Sequence, residues 1–483
     1  MRVDEYAGHD ALGLRELLRR REVSAAELRA CALEAIAQTN PQLNFMAGAP
    51  FAADAAAPDD AAMAGVPMLL KEGHGAVGGA LAMGSRLAAG LKAPADSEFT
   101  RRLRAGGLQL LGETTAPEFG IYPVTESGLH GATRNPWNLD HSPGGSSGGA
   151  SAAVAAGVVP VAQTSDGGGS IRGPAHCTGL FGLKPSVGRT PLLRRALFDF
   201  VCVHVTSRTV RDSAAFLDLL HGHHAGAASV LQAPERPYLE EVGRAPGRLR
   251  IGVLRRSPGH TKLDAECALA VERAALLAES LGHHVEDAQP AIGWDELIAR
   301  FLSAWTHALP TGVRKLAALS GRVPGPDTLD AVTWKFHEQA QHVSVDELLA
   351  ADACFQAARI AVDDYFTRYD LWLTPAGVSQ APAIGRFDPR RGDESADAYA
   401  QRALHDYAIL TPLLNITGHP AASLPLHHGA NGLPAGVQVV GPMGGEASIL
   451  RIAAQFEAQV PWIARRPPHS VFTSATGAVE HAA

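Results

Sequence analysis

Gly144-Gly145-Ser146-Ser147-Gly148-Gly149, followed 24 positions after Ser146 by Ser170 in Asp166-Gly167-Gly168-Gly169-Ser170-Ile171-Arg172, decides how this chain is read. Each stretch sets a serine hydroxyl on backbone stripped of side chains. Successive glycines leave N–H groups unshielded and tolerate positive φ, the usual way for main chain to surround a developing oxyanion. A serine hydroxyl is a weak nucleophile until a neighbouring base takes its proton. Working outward, the candidate base is Lys71, at the end of the apolar run Val66-Pro67-Met68-Leu69-Leu70. To act as a base it must be neutral. Lowering its pKa from about 10.4 to near 7 costs about 4–5 kcal/mol, which full burial can supply. A nucleophile, a relay, a base and a ring of bare amides can attack an acyl carbon with neither histidine nor metal.

The surrounding sequence supplies a large α/β scaffold. Residues 10–40 read as two helices, the second opened by the capping box Ser24-Ala25-Ala26-Glu27. Val66–Leu70, Leu108–Leu111, Val158–Thr164, Leu249–Leu254, Leu371–Thr374, Ser423–Pro425 and Val437–Gly441 read as strands. Helical patterns separate them at 149–157, 212–220, 264–281, through most of 295–365, at 400–414 and at 446–458. Alternation of this kind predicts one layered fold, a mixed, mostly parallel twisted sheet covered by helices on both faces. Residues 48–62 and 222–246 read as polar connections and 471–483 as a frayed tail.

Around the two serines the resemblance is specific. Gly144 to Arg172 resembles the defining segment of the amidase signature family, including its serine-to-serine spacing. Similar blocks flank it, among them Thr133-Arg134-Asn135-Pro136-Trp137-Asn138, Phe181-Gly182-Leu183-Lys184-Pro185, Asn415-Ile416-Thr417-Gly418-His419-Pro420 and Gly432-Leu433-Pro434-Ala435-Gly436-Val437-Gln438. The resemblance spans residues 10–470. It implies one domain over 1–470, with a catalytic core at 63–220 and a helical substrate-pocket segment at about 295–365. It further implies Ser170 as nucleophile, Ser146 as bridging serine on a cis peptide, Lys71 as base, and the amides of Gly167, Gly168, Gly169 and Ser170 as oxyanion hole. Asp166 and Arg172 are expected to hold the loop. The implied activity is hydrolysis of a carboxylic amide through an acyl-enzyme, on a small apolar, aryl or cyclic amide, with carbamates and esters as further candidates. Phe119, Ile121, Tyr122 and Trp305 are expected in the pocket wall, with Phe198 a further candidate. Two departures stand out: Glu72 where the family usually has Asp, and Gly167 where it usually has a larger residue. Two rival readings share the fold: the glutaminase subunit of a tRNA-dependent amidotransferase, and a non-catalytic scaffold. The first would need a partner subunit; the intact serines and lysine argue against the second.

Other patterns carry less. Gly144–Gly148 fits G-x-S-x-G, but a loop and no strand precedes it. Gly73-His74-Gly75-Ala76-Val77-Gly78 fits G-x-G-x-x-G without the helix and second strand of a dinucleotide site. His337 and His342 are spaced i, i+5, one too many for a zinc helix. No cofactor or metal is expected. The five cysteines are scattered, with no CxxC pair, so neither a disulfide framework nor a zinc ribbon is indicated. A net charge of -7 over 483 residues points to no polyanionic partner such as nucleic acid. No uncharged apolar stretch is long enough to span a membrane. The expected partners are a small amide and water, with a homodimer allowed; the expected setting is cytoplasmic.

Overall fold

Strands with both faces buried need apolar residues at odd and even positions alike, each set serving a different layer. The computed structural model describes residues 1–53, 58–191, 197–227, 231–258 and 261–473. It forms strands β1 (Pro67–Lys71), β2 (Gln109–Thr114), β3 (Glu126–Ser127), β4 (Gly131–Ala132), β5 (Val161–Asp166) and β6 (Phe181–Lys184). Then come β7 (Cys202–Ser207), β8 (Arg250–Val253), β9 (His284–Asp287), β10 (Leu371–Pro375), β11 (Ala421–His428) and β12 (Pro434–Val440). All but the small β3–β4 hairpin join one sheet, in the order β2-β1-β5-β7-β6-β11-β12-β10-β8-β9.

The mixed sheet expected from the sequence distributes its two pairing modes by position. Parallel pairing, expected for most of it, holds at the two ends, in β2–β1–β5 and β10–β8–β9. The five pairs between them are antiparallel. Connection length gives the reason. β11 and β12 are joined by a turn over 429–433, and only antiparallel neighbours can be linked so tightly.

Alternation then assigns the faces. Leu371 and Leu373 of β10 enter one core layer with helices Val210–Leu220, Ala265–Ser280 and Glu446–Gln459. Trp372, between them, enters the opposite layer with helices Trp294–Thr306, Val345–Tyr365 and Thr411–Thr417. In β1, Met68 and Leu70 face helices Glu98–Ala105 and Val210–Leu220, while Leu69 faces helices Ala25–Leu43 and Gly148–Ala155. A period of two carries Lys71 to the Leu69 side. The lysine is thereby aimed at the start of helix Gly148–Ala155, where Ser146 and Ser147 sit.

The expected N-terminal helices are Ala11–Arg19 and Ala25–Leu43, the latter with both capping-box bonds, Ser24 Oγ accepting from Glu27 N at 3.2 Å and Glu27 Oε2 accepting from Ser24 N at 2.8 Å. Helix Val3–Gly8 and strands β6 and β7 are additions to the sequence reading. β6 and β7 are short and carry buried Lys184, His204, Thr206 and Ser207, so no apolar run advertises them. Of the tail expected at 471–483, Val471 is buried in the layer with the N-terminal helices. Residues 474–483 lie outside the described residues, as do 54–57 and 228–230 of the two expected connections. No helix among the described residues is long and apolar enough to cross a membrane.

Candidate active site

Lys71 closes β1 with its ammonium-bearing chain only 2% exposed. Its backbone N–H donates to Gln163 Oε1 at 2.8 Å on the neighbouring strand β5, fixing the strand end. Nζ lies 2.7 Å from Ser146 Oγ, 3.0 Å from Ser147 Oγ and 3.1 Å from Ser165 Oγ. Ser147 donates its single proton to the Ser165 carbonyl at 3.2 Å, so toward Lys71 it can only accept. A neutral amine with two N–H bonds and one lone pair satisfies this cage when both N–H groups go to Ser147 and Ser165. The lone pair is then left for Ser146. Burial pushes the Lys71 pKa down to about 7, against the opposing pull of the Asp166 and Glu72 carboxylates. The Gly145–Ser146 peptide is cis.

Ser170, 9% exposed, lines a cavity together with Gly145, the residue before Ser146. Its hydroxyl makes no hydrogen bond among the described residues. Catalytic contacts of this kind commonly tighten only around bound substrate. The loop that carries it is held by a buried polar cluster. Arg172 donates to Asp166 through Nε at 3.0 Å and Nη2 at 2.9 Å, and reaches Gln438 Oε1 at 2.7 Å and Asn415 Oδ1 at 2.6 Å. Asn415 Nδ2 in turn donates to the Asp166 carbonyl at 3.0 Å and carboxylate at 2.9 Å. Burial alone would raise the Asp166 pKa; the charge and hydrogen bonds of Arg172 overcome it and hold the carboxyl far below the usual carboxylate range.

One member of the expected oxyanion hole is otherwise engaged. The Gly169 N–H donates to Asp166 Oδ1 at 2.7 Å, because the carboxylate must cap the start of the helix that follows. The other face of that peptide is fixed as well, since Thr411 Oγ donates to the Gly168 carbonyl at 2.7 Å. Gly169 adopts φ +128°, and a Cβ there would lie 2.2 Å from Thr411 Oγ, so only glycine fits. The N–H groups of Gly168 and Ser170 have no hydrogen-bond partner among the described residues.

Glu72, the unusual neighbour of the lysine, is wholly buried at its carboxylate. It accepts from Ala116 N at 3.2 Å and lies 3.0 Å from His130 Nε2. The glycine at 167 has a visible consequence: the indole of Trp305 fills the space, and a Cβ would approach it to 2.7 Å.

The cavity before Ser170 has about 740 Å³ of empty space, counted to its mouth. Of the expected wall, Ile121, Tyr122 and Trp305 line it. Phe119 does not: at φ +54° it turns into the adjoining apolar cluster, and Phe198 stacks instead on Phe200 at 5.5 Å. Phe301 and Phe336 join the wall from the expected helical pocket segment; the sequence reading missed Tyr399, Tyr407 and Thr411. Tyr407 sits on a π-helical turn, Leu404–Ala408, inside the stretch expected to be plainly helical. Among the described residues, none that lines it carries a charged side chain.

Comparison with known proteins points to a single family. The sequence profile described as Amidase matches residues 25–450. The chain belongs to the amidase signature family. It is 36% identical over 479 residues to the 6-aminohexanoate-cyclic-dimer hydrolase of Paenarthrobacter ureafaciens, covering 95% of this chain and 96% of that protein. Among solved structures, a 6-aminohexanoate cyclic dimer hydrolase superposes with TM-score 0.87 at 33% identity, over 96% of this chain and 99% of that one. A bacterial aryl acylamidase of the amidase signature family superposes with TM-score 0.82 at 26% identity, over 94% and 96% of the two chains. The chain is therefore a hydrolase of carbon–nitrogen bonds, an amidase.

Proposed function

We propose that this amidase cleaves small uncharged amides with an apolar body, cyclic or aryl, through an acyl-enzyme on Ser170. The observation that carries the reading is the 2.7 Å contact between a buried Lys71 and Ser146, whose neighbour Gly145 lines an apolar cavity together with Ser170. With its pKa near 7, Lys71 is about half neutral at neutral pH. It draws the Ser146 proton while Ser146 takes that of Ser170, and Ser170 Oγ attacks the amide carbon. The oxyanion rests on the N–H groups of Gly167, Gly168 and Ser170. Ser146, re-protonated from Lys71, then gives its proton to the departing nitrogen. Water deacylates the enzyme by the same relay in reverse.

The wall chemistry supports the substrate class. A cavity lined by Ile121, Phe301, Trp305 and Phe336 favours apolar or aromatic bodies. Glutamine carries an α-ammonium and an α-carboxylate, and burying either without a charged partner costs several kcal/mol. Among the described residues no charged side chain lines the cavity to meet them, which disfavours the glutaminase reading.

The test offers purified protein 4-nitroacetanilide, the cyclic dimer of 6-aminohexanoate, and glutamine, then repeats each with Ser170→Ala. Turnover of either of the first two, lost in the variant, is the expected result. Turnover of glutamine alone would replace the substrate assignment, and turnover undiminished in Ser170→Ala would remove the nucleophile.

A further inference from the structure

A second, smaller cavity lies at the far ends of helices Gly148–Ala155 and Arg172–Thr178, where the segment after β7 meets the C-terminal stretch. Arg208, Arg465 and Arg466 all line it, beside Trp137 and Trp462. Arg208 is 5% exposed and donates to the carbonyls of Ala7 and His9, while its buried Nε has no partner among the described residues. Among the described residues Arg465 makes one hydrogen bond, from Nη1 to the Pro425 carbonyl at 2.9 Å. Arg466 lies with its guanidinium 3.9 Å from the centre of the Phe472 ring, and the Arg208 guanidinium is 6.0 Å from that same ring. Most of the fifteen N–H donors that three guanidiniums carry are thus unspent.

The charge is unspent too. None of the three forms an ion pair among the described residues. The nearest acids to Arg208 are Asp212 and Asp10. Asp212 accepts from the backbone of Ala11 and Leu12 at 2.7 and 3.1 Å, and Asp10 pairs with Arg211 at 2.5 Å. Helices Gly148–Ala155 and Arg172–Thr178 end at the cavity, through Ala155 and Gly179. Each helix end contributes about half a negative charge, against three positive ones. About two positive charges remain facing a partly enclosed space. Burial depresses all three pKa values, and at Arg208, pushed down to about 10, the charge of Arg466 adds to it.

We propose that this cavity binds a small oxyanion, a phosphate or a carboxylate group, through Arg208, Arg465 and Arg466. Planar guanidiniums match the oxygen spacing of either group, and the small cavity fits the bare anion. The site is independent of the substrate assigned to the amidase.

The experiment is titration of the full chain with inorganic phosphate at fixed ionic strength, with chloride making up the balance, followed by calorimetry and by Tm. A parallel arm uses acetate. Arg465→Gln and Arg466→Gln, both at half-exposed positions, serve as variants, and Arg465→Lys separates a point charge from a guanidinium. A saturable Tm rise and heat with phosphate or acetate, absent with chloride, supports the site; the arm that binds tighter names the group. Each Gln variant is expected to weaken binding about tenfold, from the loss of one charged hydrogen bond, while turnover of 4-nitroacetanilide by these variants stays at the unsubstituted level. Equal responses to all three salts, or binding unchanged in both Gln variants, would overturn the proposal.

Discussion

Replacing Lys71 by methionine offers a test that reads the buried amine directly. In the unfolded chain this lysine titrates near 10.4; in the folded protein it titrates near 7. Between those values the unfolded state binds more protons than the folded one, so the group makes stability rise with pH across that window. Below about pH 7 the full penalty, about 4–5 kcal/mol, is present in the wild type. At pH 9 about 2 kcal/mol of it has been relieved, since each pH unit is worth about 1.4 kcal/mol. Lys71→Met carries no such penalty, although it strips Ser146, Ser147 and Ser165 of one contact each, about 1 kcal/mol apiece. Urea unfolding of both proteins from pH 7 to pH 9 isolates the effect as a difference. The wild type is expected to gain about 2 kcal/mol on the variant over that span, and the variant to lose all turnover of 4-nitroacetanilide. Two stability curves that stay parallel would show that the amine is not buried uncharged, and the proposed relay would fall with it.

Further consequences can be checked alongside. Wild-type kcat/KM for a neutral amide should climb to a plateau above about pH 7, following deprotonation of Lys71. Thr411→Val keeps the shape but removes the bond to the Gly168 carbonyl; kcat should fall about 10- to 100-fold with KM little changed, because the loss acts on the oxyanion in the transition state. Gly167→Ala places a methyl 2.7 Å from the Trp305 ring and should impair turnover, which Trp305→Ala should restore in the double variant. Arg172→Gln leaves Asp166 buried without its cation and should destabilise the protein by about 3–5 kcal/mol in urea unfolding.

The residues proposed for chemistry were legible because their signal is local. Glycines crowd Ser146 and Ser170, and an apolar run delivers Lys71, so short stretches announce themselves. The distant residues that steady them were not. Asn415, Gln438 and Thr411 lie more than 240 positions from the loop they hold. Asn415 and Gln438 fall in blocks that stand out by resemblance, but no local pattern links them to Arg172. The same holds for β6 and β7, whose buried His204 and Lys184 make central strands read as connection. Phe119 was misplaced for a different reason: a positive φ, invisible in composition, turned it away from the cavity its neighbours line.

The fastening of the Gly168–Gly169 peptide from both sides has a bearing on how the enzyme can be divided. A polypeptide ending before residue 411 would still contain every side chain of the proposed relay, yet its loop would be anchored on one flank only. Competence is therefore expected to arrive late, once the last stretch of the protein has docked. Two separately expressed pieces cut in the loop after 384 should be inert apart and regain turnover when mixed.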